Sequence, residues 1–257
     1  KPHPDGSSVW VQPYSRHMSG TPAWDPMYYS IDFDRIEEHF RNLRTVAQEM
    51  GTTITGVKRI ILDQNTLLMK SDNLGPITSL ELGEGMNLVY ILNGAMPVYI
   101  KSGQPTAMPL TIVATGNVYL SGSLRGGQAG SSGPLAIVSL EDIIIASDPD
   151  HTGGIDWSPP WDIQTEGNLT VQAYLAAPAG EMRSESVLYP GDVVYLTVIG
   201  GLLEKQMGMM GTAISGRKLE IQYDSGLNSV IPPYFPILEN WIMTSWLEDP
   251  DYGGMEI

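Results

Sequence analysis

The chain has 257 residues, 42% of them hydrophobic, with 28 glycines, 19 prolines and no cysteine. That length suits one large or two modest domains, and the missing cysteine excludes disulfides and thiol chemistry. Twenty-nine acidic against 14 basic residues give a net charge of −15, which excludes nucleic acid as a partner because phosphate binding needs a basic face.

No stretch approaches about 18 uninterrupted apolar residues, so no membrane insertion by this segment is expected. The chain begins at Lys1 without an initiator Met, and the expectation is a trimmed leader or a piece of a longer protein.

Residues 1–30 hold five prolines and the aromatics Trp10, Tyr14, Trp24, Tyr28 and Tyr29 with no period, which reads as an extended arm. Residues 32–50 read as an amphipathic helix. Ile36, Phe40, Leu43, Val46 or Ala47, and Met50 recur at helical spacing, Asp32 or Asp34 suits the N-cap with Glu37 following, and Gly51 supplies the stop. Ahead of a β body, such a helix is expected to cover an open end, so 1–51 is read as arm plus capping helix.

From residue 52 the text changes to short apolar words bounded by Gly, Asn, Asp or Pro: Arg59–Leu62, Leu67–Met69, Ile77–Leu82, Leu88–Leu92 and Pro97–Ile100. Thr53–Ile60 and Gly75–Leu82 read as the first coils of a repeat. Leu110–Ala114 (LTIVA) and Leu135–Ser139 (LAIVS) are nearly one word written twice, 25 residues apart, each followed by a second short run, Val118–Leu120 and Ile143–Ile145. Strands and turns repeating at that interval are the signature of a parallel β-solenoid, expected to be right-handed and to span 52–236. Leu169–Ala177 is expected to stack on Leu135 after an insertion within 148–165, and Val194–Ile199 to stack on Leu169 a further 25 residues on, followed by a turn and a strand at Gly200–Lys205. The segments 148–165 and 178–190 read as loops projecting from one side. Pro232–Pro236 (PPYFP) bars a central strand, and 237–257 reads as a C-terminal cap, packed through Trp241 and Trp246, with a loose tail.

Candidate chemistry is sparse. Asp148, Asp150 and Asp156, with His151 among them, alternate in a loop that could hold Ca²⁺ through oxygens or supply paired carboxylates. Asp-Pro-Asp with following glycines is also ordinary turn chemistry. Trp157 and Trp161, flanking Pro159 and Pro160, are the candidate sugar-stacking residues, weighed against packing within their own loop. Glu141-Asp142 reads as a corner. His3, His17, His39 and His151 share no metal-ligand spacing. The Gly-rich run 122–133 around Arg125 has no helix after it to make a phosphate cradle. No G-x-S-x-G elbow occurs. Neither a cofactor nor catalysis is expected.

The words LTIVATGNVYLSG (110–122), GPLAIVSLEDIII (133–145), NLTVQAYLAAPAG (168–180) and VIGGLLEKQMGMMG (198–211), closed by Tyr223-Asp224 and PPYFP (232–236), resemble in order an uncharacterised bacterial domain-of-unknown-function family. Its members occur in large pilin-like and cell-envelope proteins near type IV pilus or secretion genes. The likeness covers about 94–236. It implies a β-solenoid, an extracytoplasmic location in the periplasm or at the cell surface, and other envelope or pilus proteins as partners; it brings no catalytic residues. Two features depart from the family: members commonly carry a membrane-spanning, pilin-like N-terminal helix that these 257 residues do not contain, and the segment after GGLLEKQ is Met-rich where relatives tend to have Arg-Gly-Pro. The function expected is therefore a non-enzymatic structural or surface-display module. The alternative is a carbohydrate-binding or carbohydrate-cleaving β-helix using the 148–161 loop.

Overall fold

The computed structural model describes residues 33–71, 75–126, 133–147, 159–165, 167–185, 193–211, 215–222 and 231–236. Among these residues it is mainly β: one helix and a single curled sheet of fourteen strands, mostly parallel with an antiparallel portion.

Two parallel ladders form the walls. The first stacks β1 (Thr52–Thr55), β5 (Asn87–Leu92), β7 (Leu110–Ala114) and β10 (Leu135–Ser139), and continues into β12 (Leu169–Ser184) and β13 (Val193–Met207). The second stacks β2 (Arg59–Asp63), β6 (Val98–Ser102), β8 (Val118–Leu120) and β11 (Ile143–Ile145) before meeting the last residues of β12. The two near-identical words pair as expected, Ile112 opposite Ile137 and Leu110 opposite Leu135. Their inward side chains, with Val89, Ile91, Leu120 and Ile145, make a continuous apolar column. Burying each such side chain contributes about 1.5–3 kcal/mol.

Polar side chains tie each layer to the next at the corners. Asn93 Oδ1 accepts the Gly116 N–H at 2.8 Å, Asn117 Oδ1 that of Asp142 at 3.0 Å, and Asp142 Oδ1 that of Glu181 at 3.1 Å. At a second corner Ser102 Oγ accepts the Arg125 N–H, Ser123 Oγ that of Thr170, and Asn168 Oδ1 that of Tyr195. Backbone donors that turn away from the ladders at a bend thereby keep partners. Position 116 must be glycine, because a Cβ there would lie 1.7 Å from the Gly94 carbonyl oxygen.

Three expectations are corrected. Gly75–Leu82 is no coil of a parallel stack: β3 (Thr66–Lys70) pairs antiparallel with β2, and β4 (Thr78–Glu81) antiparallel with β3. Leu67, Met69 and Leu82 are buried in the main core, so this meander extends the sheet past β2 with its inner face on that core. Second, Leu169 does not stack on Leu135. Ala136 pairs with Tyr174, and Leu169 itself pairs with Leu196 rather than Val194. The reason is that β12 is one 16-residue strand crossing three neighbours: Val171 sits on Leu124 of β9 (Leu124–Arg125), Leu175 on Ile137, and Met182 on Ile143. Residues 178–184 are therefore strand, not loop, and β13 runs unbroken through Gly200–Lys205 with β14 (Gly216–Gln222) against its first half.

Third, the helix α1 (Phe33–Met50) does not close an end. Ile36, Phe40, Leu43 and Ala47 pack on the outward residues Leu88 and Tyr90 of β5, Val113 of β7, Val138 of β10 and Ala176 of β12. At about 1.5 Å per residue the helix is about 27 Å long, enough to cross five strands about 4.8 Å apart. The outward residues that meet the helix are apolar or aromatic and need a cover, and Thr111 between them finds an acceptor, so LTIVA and LAIVS are buried on both faces. Met50, expected in the stripe, is 66% exposed, whereas Ala47 one turn earlier is fully buried. Phe235 completes the cover, its ring 5.7 Å from Phe40 and 5.5 Å from Tyr174, while Thr111 Oγ1 donates to the Pro233 carbonyl at 2.5 Å.

Candidate functional site

Polar and aromatic side chains concentrate on the outer face of the second ladder. The register puts Arg59 of β2 beside Tyr99 of β6, Tyr99 beside Tyr119 of β8, Tyr119 beside Ile144 of β11, and Ile144 beside Arg183 of β12. Alternation does this: the residues before and after each, such as Val98 and Ile100, face the core. The Tyr99 and Tyr119 rings lie 4.9 Å apart, tilted by 41°.

A strap, residues 159–165, covers the first part of this face. Trp161 is 5% exposed, with the Arg59 guanidinium carbon 6.0 Å from its ring centroid. Lys101, 4% exposed, donates to the Asp162 carboxylate at 2.9 Å and to the Asp162 carbonyl at 2.6 Å. Gln164 donates through its backbone N–H to the Ser121 carbonyl at 2.7 Å and through Nε2 to Asp162 at 3.1 Å. Burial pushes the Asp162 carboxyl up, but the hydrogen bonds from Lys101 and Gln164 outweigh it and hold the group below its ordinary range.

Past the strap the face opens. Tyr119 is half-buried, and Arg183 lies 3.6 Å from Asp142 and 3.2 Å from Glu181. Glu185 accepts the Ser147 N–H at 2.8 Å and its hydroxyl at 3.1 Å. Burial, and then the Glu185 charge, raise the phenols of Tyr99 and Tyr119 above their usual value, so both stay protonated and can donate. Burial also raises Glu204, against the opposing pull of the Met182 and Gly208 N–H groups. A shallow cavity of about 220 Å³ lies alongside, lined by Asp142, Glu181 and Lys205 among others.

Of the residues singled out in the sequence, Asp148, Asp150, His151, Asp156 and Trp157 lie outside the described residues. Trp161 belongs to the strap, its buried ring facing Arg59, and Asp142 is placed at a corner, as its sequence suggested. Lys101, Tyr99, Tyr119 and Arg183 were not anticipated. A signal for two of them exists in the words Val98-Tyr99-Ile100 and Val118-Tyr119-Leu120, a second repeat with tyrosine at its outward position. Among the described residues no group of three or more His, Asp or Glu is arranged to hold a metal ion, and no helix is long and apolar enough to cross a membrane. No family model, no curated protein and no solved structure matches the chain.

Proposed function

We propose that the two ladders are walls of a right-handed β-solenoid, and that the chain is a non-enzymatic structural or surface-display module. It would belong to a secreted or envelope-anchored bacterial protein, in the periplasm or at the cell surface, with envelope or pilus proteins as partners, as the resemblance of 94–236 implies. The observation that carries this reading is the clamping of successive layers. Asn93, Asn117, Asp142, Ser102, Ser123 and Asn168 each hold a backbone N–H of a neighbouring layer. Side chains that could have converged on a cleft instead stiffen a frame, which suits a spacer or display element. Purified protein is expected to leave a panel of polysaccharides and esters unchanged; turnover of any of them overturns the reading. Left-handed winding in a crystal structure would overturn the solenoid.

One observation favours a second reading, glycan binding: the half-exposed Tyr119 stands near Arg183, Asp142 and Glu185. On a glycan array, with and without Ca²⁺, binding abolished by Tyr119→Ala would support it. Trp161→Ala is a poor probe, because that ring is buried and its loss would disturb the strap.

A further inference from the structure

Besides β14, an edge strand that pairs only with β13, the curled sheet ends in two strands that have no partner on their far side among the described residues: β1 pairs only with β5, and β4 only with β3. These two edges face each other across a cavity of about 120 Å³, whose walls include Met50, Thr52, Leu80, Glu81, Met86 and Tyr234. They are not hydrogen-bonded to each other, so the curl leaves a seam with an open row of backbone groups on either side.

Local structure holds the wall residues out. Met86 is 68% exposed, yet its turn is locked by Asn87, whose side chain accepts the Gly83 N–H at 3.0 Å and donates to the Gly83, Gly85 and Pro109 carbonyls at 3.0–3.1 Å. Met50 is held by the helix end, where the Gly51 N–H donates to the Ala47 carbonyl and a Cβ on Gly51 would lie 2.5 Å from that oxygen. Tyr234 takes a left-handed backbone (φ 58), a conformation uncommon for a bulky residue, and is followed by the partly buried Phe235, which packs on Phe40 and Tyr174. Methionine on rigid backbone gives an adaptable apolar wall whose exposure is built in. Charge has one sign here: Glu49, Glu81 and Glu84 are the charged residues of 49–57 and 75–87, and all three are exposed.

We propose that this seam is a docking slot for an extended segment of a partner protein. The segment would add as a strand to the free edge of β1, place apolar side chains at alternate positions against Met50, Met86 and Tyr234, and carry Lys or Arg at its flanks to meet Glu49, Glu81 and Glu84. This stands apart from the function proposed above.

The test uses the full chain and three labelled ten-residue peptides: alternating Thr and Val with two lysines at each end, the same core flanked by glutamates, and the lysine-flanked core broken by a central proline. Fluorescence anisotropy is expected to show the first binding at least about tenfold more tightly than the other two. Met86→Lys and Glu84→Lys change exposed side chains, so circular dichroism should stay unchanged while each weakens that binding by about tenfold. Four results would overturn the proposal: no binding of the lysine-flanked peptide; equal binding of all three; binding indifferent to Met86→Lys; or binding that appears only after removal of 237–257, which would make the chain's own tail the occupant. Self-association of the wild type that Met86→Lys abolishes would make a second copy the occupant and overturn it as well.

Discussion

The outer sides of the two ladders are covered in opposite ways. Over the first lies an amphipathic helix whose buried stripe meets only apolar or aromatic outward residues, Leu88, Tyr90, Val113, Val138 and Ala176. Over the second lies an irregular strap whose contacts are a buried lysine paired to Asp162, a buried arginine facing Trp161, and backbone bonds. The strands beneath differ little in length or in their inner faces; the difference lies at the outward position of each word. Val113 and Val138 call for an apolar cover, whereas Arg59, Tyr99 and Lys101 accept one only if it brings acceptors. The outer residues of a ladder thus select what can lie on it, and the two covers cannot be exchanged.

The largest effect should come from the dry side. Phe40 is 2% exposed at the centre of the helix contact and touches Phe235. Phe40→Ala is expected to cost about 3–5 kcal/mol, read as a lower urea midpoint at unchanged slope. A loss below about 1 kcal/mol would mean that the helix is not what shields the first ladder.

On the second ladder, Lys101→Met keeps the aliphatic stem but removes the ammonium. The Asp162 carboxylate, 30% exposed, and its carbonyl both lose a donor, so a cost of about 2 kcal/mol is expected. The companion change Asp162→Asn should cost less, because Lys101 keeps the carbonyl at 2.6 Å. Equal costs would mean that the charge pair alone holds the strap.

The same pair sets a pH dependence. Asp162 has a folded-state pKa below its ordinary value, so its contribution is fully present above the unfolded value of about 4 and fades as pH falls through the lower folded value. The wild type should therefore exceed Asp162→Asn by about 1 kcal/mol or less at pH 7 and pH 5, and the gap should shrink at pH 3. A gap that widens in acid would reverse the sign and exclude Asp162 as a stabilising carboxylate.

Why some of this was legible in the sequence follows from range. Leu110–Ala114 and Leu135–Ser139 stack in register because equal words a fixed distance apart must face the same column. The helix stripe was legible at Ile36, Phe40, Leu43 and Ala47, but a stripe says that a face is buried and not against what, so an end cover was expected where a side cover exists. The register of β12 was missed because one unbroken strand serves three neighbours, and no local pattern marks where it passes from one to the next. The site was least legible. Lys101 and Asp162 are 61 residues apart and meet only because the strap returns across the ladder. Tyr99 and Tyr119, by contrast, sit in a short repeat that alternation alone would have turned outward.

The smallest expected effect bears on whether charge also helps to hold the helix. Lys205 of β13 reaches Glu37 of α1 at 3.4 Å, with the lysine side chain 50% exposed. Glu37 keeps a second cation, Arg41, at 2.9 Å one helical turn away. Its carboxyl is held below the usual range first by the Arg41 hydrogen bond and then by Lys205, so losing the lysine leaves the stronger partner in place. Lys205→Ala should cost about 0.5 kcal/mol or less, and salt near 1 M, where the Debye length is about 3 Å, should erase the difference. A salt-insensitive loss near 2 kcal/mol would instead make this contact a fixed joint, and the first ladder's cover would then depend on charge as the second's does.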